Sequence, residues 1–137
     1  MIAVDSNIIG YLYLTGARSG QVEQLLHKDA HWAAPLLWRS EFRNVLALYL
    51  RKRLLSLDAA REIMDEALNL MLGWEYEVAS SQVLSLAAQS SCSAYDCEFV
   101  ALAQDLGVTL VTVDKQITEQ FPRVAVSLDQ YLASGTA

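Results

Sequence analysis

Short apolar segments alternate with helical segments along almost the whole of this 137-residue chain. The apolar segments are short and largely uninterrupted, as in strands that are buried on both faces of a sheet. Neighbouring parallel strands need a crossover connection, which is usually a helix. The sequence therefore predicts an α/β fold with a parallel sheet flanked by helices, with strands at residues 2–4, 32–34, 75–79, 109–113 and 124–126.

Apolar spacing and turn residues predict the helices between these strands. The first helix contains Ile8 and Leu12 and is interrupted by the polar, glycine-containing residues 15–20. Asp58 is the predicted N-cap of one helix, and Gly107 is the predicted C-cap of another. The length and the lack of any repeat or linker predict one domain, 1–137. The remaining helices are predicted at 21–28, 37–54, 58–72, 81–89, 95–106 and 128–133.

The composition indicates a globular protein without a membrane segment. Hydrophobic residues make up 53% of the chain and charged residues 19%. No stretch reaches the roughly 18 unbroken apolar residues of a membrane helix. Asp5 follows the first strand without a preceding basic region, so the start does not resemble a signal peptide. Cys92 and Cys97 are too few for a disulfide framework. We therefore expect reduced thiols and a cytoplasmic location.

The charge distribution is uneven. A formal charge of −6 and a pI near 4.7 argue against a protein that binds nucleic acid through its overall charge. Most of the lysines and arginines nevertheless fall within one segment and could form a local basic face: Arg39, Arg43, Arg51, Lys52, Arg53 and Arg61. The run at residues 51–53 is equally typical of a solvated helix end.

Two aspartates follow predicted strands. Asp5 comes directly after the first strand, and Asp114 comes directly after residues 109–113. Ligands of open parallel sheets bind outside the carboxyl ends of the strands. Either residue could instead be a helix N-cap, because Asp accepts a hydrogen bond from a free helix N–H. Both possibilities remain open from the sequence.

Two further acids lie on predicted helices. Glu41 is in line with Trp38, Val45 and Leu48, so it lies on an apolar stripe where an unpaired charge is unfavourable. Its partner could be Arg39, Arg43 or a cation from outside. Asp96 borders the apolar stripe of its own helix. Ser93 lies three residues before it, which is the spacing of a capping box.

These acids together predict a metal site. Four carboxylates brought to one edge of a sheet would repel one another and raise each other's pKa unless a cation intervened. Oxygen-only ligands favour a hard ion, Mg²⁺ or Mn²⁺, over zinc. Such sites catalyse phosphoryl chemistry by polarising a phosphate and activating water.

Two other kinds of site fit the sequence less well. His27, His31, Cys92 and Cys97 could form a zinc site, but the predicted helix ends between the two histidines, so their i, i+4 spacing does not bring them together. Asp5 could be a phosphatase nucleophile. That hypothesis requires a second aspartate two residues later, where Asn7 stands.

Four segments of the chain resemble the motifs of PIN domains. The first is a hydrophobic strand followed by Asp, a hydroxyl residue and Asn, and the second is an acid one turn into a helix. The third is the most specific, and the fourth is T-x-D at a strand end. These segments are residues 2–7, 35–41, 93–103 and 110–114. Their order and the chain length are similar to those of VapC-type toxins.

The resemblance implies a PIN-like three-layer sandwich with strand order 3-2-1-4-5 and a metal-dependent endoribonuclease. It implies that Asp5, Glu41, Asp96 and Asp114 are catalytic and bind Mg²⁺ or Mn²⁺. The helpers that orient carboxylates or water would be Ser6, Asn7 and Thr112. The products would carry a 5′-phosphate and a 3′-hydroxyl.

The resemblance also implies partners: an RNA substrate, a cognate antitoxin and a second copy in a homodimer. Residues 115–117 lack the extra acid that some members carry, which leaves one or two ions per site. An alternative is an inactive PIN-like binding module that captures RNA or an antitoxin. We expect backbone contacts to RNA from Arg39, Arg43, Arg51, Lys52 and Arg53.

Overall fold

A computed structural model describes residues 1–134 and contains one five-stranded, wholly parallel sheet. Its strand order, β3-β2-β1-β4-β5, confirms the predicted order. Residues 135–137 of the predicted domain lie outside the described part. The strands are β1 (Ile2–Val4), β2 (Trp32–Pro35), β3 (Glu75–Tyr76), β4 (Leu110–Thr112) and β5 (Ala125–Ser127).

The helices form two packed groups that flank this sheet. Helices α1 to α4 and α8 contact one another, whereas α5 packs against α6, and α6 contacts three of the strands. None of the helices between residues 1 and 134 is long and apolar enough to span a membrane. The helices are α1 (Ser6–Tyr13), α2 (Ser19–Lys28), α3 (Leu37–Arg51), α4 (Leu57–Met71), α5 (Ser80–Ala88), α6 (Ala94–Leu106), α7 (Lys115–Gln120) and α8 (Leu128–Ala133).

The strand order places two carboxyl ends side by side. The central strand β1 pairs with β2 on one side and with β4 on the other, with Ala3 opposite both Ala33 and Leu110. The chain adds β2 and β3 on one side before it crosses to β4. The order therefore reverses between β1 and β4, and this is where α/β sheets bind ligands.

The end of α3 differs from the prediction. The helix ends at Arg51 instead of residue 54 because Arg53 adopts a left-handed conformation, with φ of 59°. Backbone N–H groups of Arg53 and Leu54 donate to the carbonyls of Leu50 and Tyr49, which is the Schellman pattern of helix termination. Glycine is the usual residue in this position, so an arginine there did not indicate that the helix would end.

Three other elements also differ. Ser56, and not Asp58, caps α4, because its hydroxyl accepts from the N–H of Ala59 at 3.1 Å. Strand β3 has only two residues instead of five. Helix α7 was not predicted, because its six residues are too few to show a helical period. Gly107 ends α6 as predicted, with φ of 65°.

The core holds the site elements in place. Ala3 and Val4 of β1 are fully buried, as are the large side chains of Trp32, Trp38 and Phe42. The small side chain of Ala3 in the central strand leaves room for a helix to pack closely, and the aromatic residues fill the space around the sheet. The carboxyl ends of β1 and β4 are thus built on the most deeply buried part of the fold.

Candidate active site

A cleft of about 250 Å³ opens at the carboxyl ends of β1 and β4. It brings together all four acids predicted to form the site, although they come from the ends of two strands and from two helices. Ser6 and Asn7 also lie there, whereas Thr112 contacts the cleft through Asp5. The lining residues are Asp5, Ser6, Asn7, Glu41, Asn44, Val45, Asp96 and Asp114.

Asp5 is the most deeply placed acid, with 7% of its surface exposed. It occupies the N-cap position of α1, but its side chain makes no capping hydrogen bond, so the capping alternative is wrong for this residue. The Thr112 hydroxyl instead donates to Asp5 Oδ2 at 2.8 Å. Burial raises the pKa of Asp5, although hydrogen bonds from Thr112 and Ser6 oppose this rise.

Glu41 is half-buried, lies beside the buried face of α3 and faces Ser6. The buried stripe of α3 consists of Trp38, Phe42 and Leu46, so the stripe predicted through Leu48, which is 45% exposed, was wrong. The Ser6 hydroxyl donates to Glu41 Oε1 at 2.7 Å and lies 3.4 Å from Asp5 Oδ1. One hydroxyl therefore joins two carboxylates from different elements.

The pKa of Glu41 is raised, mainly by burial and further by the charges of Asp5, Asp96 and Glu98. A carboxyl group whose pKa is raised in the folded state is disfavoured there in its ionised form. In the described part of the chain, no positive charge offsets the burial of Glu41.

Asp96 lies in the first turn of α6. The Ser93 hydroxyl accepts from the Asp96 N–H at 3.1 Å, which confirms the predicted cap at Ser93. This cap sets the start of the helix and so fixes where the Asp96 side chain begins. Burial, followed by the charge of Asp114, raises the pKa of Asp96.

Asp114 has two functions in the structure. It caps α7, since Asp114 Oδ1 accepts from the N–H groups of Gln116 at 2.8 Å and Ile117 at 3.4 Å. It also lines the cleft. The Thr112 hydroxyl accepts from the Asp114 N–H at 3.0 Å, so Thr112 connects the two strand-end aspartates.

No cation among the described residues neutralises the four cleft acids. Within residues 1–134, none of the four acids forms a salt bridge. Arg39, a predicted partner of Glu41, binds Glu75 instead, and Arg43 donates to Ser40 Oγ at 3.2 Å. The hypothesis that an arginine satisfies Glu41 is therefore wrong.

The donor set suits a hard divalent ion, but it is not drawn together into a finished site. Among residues 1–134, no group of three or more His, Cys, Asp or Glu side chains is arranged to hold a metal ion directly. Mg²⁺ commonly keeps several waters and uses only one or two carboxylates. The carboxylates surround a cleft with room for an ion and several waters. Such an ion fits this cleft, because the pKa is raised for Asp5, Glu41 and Asp96 and no counter-charge is present within residues 1–134.

The zinc hypothesis does not fit the structure. His27 and His31 are exposed, and the His31 ring stacks on Trp74. Cys92 and Cys97 are buried free thiols. Within residues 1–134, these four side chains do not form a group that could hold a metal ion.

Two residues near the cleft were not selected from the sequence. Asn44 lines the cleft one helical turn after Glu41, and this i, i+3 spacing was the available signal. Glu98 lies close enough to Glu41 to raise its pKa. Of the predicted RNA-contact residues, Arg43, Arg51, Lys52 and Arg53 are exposed on or just after α3, outside the lining of the cleft.

The fold and the cleft define an α/β protein with an acidic site where the strand order reverses. Residues 2–126 match the PIN domain family, and the chain therefore belongs to that family. This confirms the resemblance seen in its motifs. The chain is also 29% identical over 124 residues to Ribonuclease VapC3 of Pyrobaculum aerophilum. This alignment covers 88% of this chain and 95% of the relative.

Solved structures share the fold. FitAcB of Neisseria gonorrhoeae has a TM-score of 0.71 at 18% identity, over 93% of this chain and 98% of that one. PAE2754 of Pyrobaculum aerophilum has a TM-score of 0.69 at 22% identity, over 96% and 92%. A toxin–antitoxin complex from Klebsiella pneumoniae has a TM-score of 0.65 at 16% identity, over 93% and 98%. At these identities the likeness concerns the fold.

Proposed function

We propose that this protein is a metal-dependent endoribonuclease that hydrolyses RNA phosphodiester bonds. The observation that carries the proposal is the cleft itself, in which four carboxylates from four elements lie together without a counter-charge. Membership of the PIN domain family and the similarity to a relative named a ribonuclease support the same activity.

The residues that would hold Mg²⁺ or Mn²⁺ are Asp5, Glu41, Asp96 and Asp114. When bound, such an ion would supply positive charge for the phosphate and would lower the pKa of a coordinated water. Thr112 and Ser6 orient Asp5, and Ser6 also orients Glu41, through the hydroxyl contacts described above. Oriented ligands need less rearrangement when an ion and substrate bind.

Asn7 retains its proposed role as a polar helper in the cleft, where its side chain has no hydrogen bond within the described residues. We infer products with a 5′-phosphate and a 3′-hydroxyl, as in the family. We infer one or two ions per site. Residues 115–117 lack the acid that some family members carry, which removes a ligand for the second ion.

We infer that RNA approaches along the basic end of α3. Arg43, Arg51, Lys52 and Arg53 are exposed there and are suited to contact phosphates. Arg39 is a weaker candidate than the sequence suggested, since Glu75 already binds two of its nitrogens.

We further propose that the protein is the toxin of a toxin–antitoxin pair, that it acts as a cytoplasmic homodimer, and that an antitoxin silences it. One solved relative by fold is described as a toxin–antitoxin complex, and the relative FitAB is described as bound to a DNA fragment. If this proposal is correct, a small antitoxin gene lies beside the gene for this chain.

The decisive experiment is sequencing of RNA ends after induced expression, with Asp5→Asn as the paired variant. Asn keeps an acceptor for the Thr112 hydroxyl but removes the charge. We expect new 5′-phosphate ends with the wild type and none with the variant. Identical RNA ends for the two proteins would contradict the nuclease and favour an inactive PIN-like binding module. In vitro cleavage that persists in excess chelator would contradict metal dependence.

A further inference from the structure

A second, smaller cavity of about 110 Å³ lies between α1 and α3, directly beside the acidic cleft. The two share Ser6, Asn7 and Val45 as lining residues. The smaller cavity is otherwise different in character, because aromatic and aliphatic side chains dominate its lining. The further lining residues that matter here are Tyr11, Leu14 and Tyr49.

We propose that this cavity binds one nucleobase of the RNA, that of a nucleotide next to the phosphodiester held at the acids. This inference rests on the proposed nuclease function and adds a site that selects the base. Tyr11 and Tyr49 would provide stacking surfaces, and Asn7 would provide an amide for a base edge.

The position of the cavity supports this occupant. A base is joined through its ribose to the phosphates on either side, so it lies within one nucleotide of the cleaved bond. A pocket that shares a wall with the acidic cleft is therefore within reach of an adjacent base. A cavity of this volume suits one flat ring system, whereas a helix or a strand of another protein needs a longer groove.

The chemistry of the lining also supports it. Single-stranded RNA is recognised by bases that stack on aromatic side chains and by hydrogen bonds to their edges. Within residues 1–134, neither the hydroxyls of Tyr11 and Tyr49 nor the amide of Asn7 has a hydrogen-bond partner. These groups are therefore available to a ligand.

Tyr13 shows how a structural tyrosine in the same helix differs. Its hydroxyl donates to the Glu66 carbonyl at 3.2 Å, and its ring packs against Phe42 with centroids 6.4 Å apart. Tyr13 thus ties α1 to α4 and α3. Tyr11 and Tyr49 make no such hydroxyl contact, although both are only partly exposed.

The experiment uses a short RNA that the wild type cleaves at one site, with an abasic nucleotide placed in turn at each position around that site. One abasic position should raise KM about five- to tenfold, as expected for the loss of one stacked base. In Tyr49→Leu and Tyr11→Leu, KM for the intact RNA should rise, and the abasic penalty at that position should shrink. Tyr49→Phe keeps the ring and should keep the penalty.

Tyr131→Leu is the matched control, since Tyr131 lies on α8 and lines neither cavity. Its abasic penalty should equal that of the wild type. Thermal melting checks that each variant is folded, and anisotropy of the same RNAs in Ca²⁺ measures binding without relying on turnover. Retention of the full penalty in both leucine variants would overturn the base site alone. A wild type that neither cleaves nor binds any of the RNAs would overturn the nuclease and the base site together.

Discussion

Glu75 and the acids of the cleft differ in the direction in which the fold shifts their pKa. Glu75, at the start of β3, accepts from Arg39 Nε at 2.6 Å and from Trp38 Nε1 at 2.8 Å. The hydrogen bond to Arg39 is the main reason that the pKa of Glu75 is lowered, although burial opposes the shift. The acids of the cleft are also removed from water, yet the pKa of Asp5 and of Asp96 is raised.

The difference shows which acids the fold can satisfy by itself. Glu75 is stabilised by groups of the chain, so its ionised form needs nothing from outside. In the cleft, hydroxyl groups and helix termini hold the carboxylates in position but do not neutralise them. An arrangement that positions charges without cancelling them is typical of functional sites. The following predictions test this contrast.

Asp96→Asn should have the largest effect. We expect cleavage to fall by at least about a hundredfold, since the loss of residues that only support metal ligands already costs about 10–100-fold. The same change should raise the melting temperature of the metal-free protein, because it removes one of the repelling charges. Asp105→Asn, an exposed change on the same helix, is the control. Cleavage at the wild-type rate would remove Asp96 from the site.

Addition of Mn²⁺ should stabilise the wild-type protein. A ligand that binds only the folded state adds about 2.7 kcal/mol at one hundred times its Kd. Thermal melting in chelator and in Mn²⁺ measures this difference, which should be much smaller in an Asp5→Asn, Asp96→Asn double variant. Equal stabilisation of the double variant would show that the ion binds elsewhere.

Glu75→Gln should lower the free energy of unfolding at neutral pH by about 1 kcal/mol, a value reduced because Arg39 is partly exposed to solvent. The lowered pKa means that Glu75 stabilises the fold above its unfolded pKa of about 4.3 and that this stabilisation is lost as pH falls through the folded pKa. Chemical denaturation at neutral and at acid pH should therefore show the difference shrinking with acid. Glu77→Gln, exposed and two residues away, should show no such trend.

Asp58→Asn should have the smallest effect. Its side chain is 92% exposed and lies 3.7 Å from Arg61, in a pair that solvent screens. Isolated surface pairs contribute little to stability. We expect a melting temperature close to that of the wild type, with or without Mn²⁺. A large shift would mean that the contrast between satisfied and unsatisfied acids does not depend on burial.

The sequence predicted those features that depend on local pattern. Asp5 and Asp114 could be placed at strand ends because the strands before them are continuous apolar runs, and a parallel sheet brings such ends to one edge. The cap at Ser93 followed from residue spacing alone. The strand order came from the family resemblance, and the structure confirmed it.

Other features depend on contacts between distant segments, which one sequence does not show. Arg39 could be assigned to Glu41 or to RNA, but its actual partner, Glu75, lies in a strand 36 residues away. Helix α3 was predicted too long because an arginine, not a glycine, takes the left-handed position after it. The cavity at Tyr11 and Tyr49 exists only because α1 and α3 pack together.

Asp114 both caps α7 and lines the cleft, and this affects how experiments on the residue should be interpreted. An alanine at this position would remove both a cleft carboxylate and the acceptor for two backbone N–H groups of α7. If that variant were inactive, loss of the carboxylate and fraying of the helix could not be told apart as the cause. Asparagine keeps an acceptor oxygen while it discards the charge, so only the amide variant separates the two contributions.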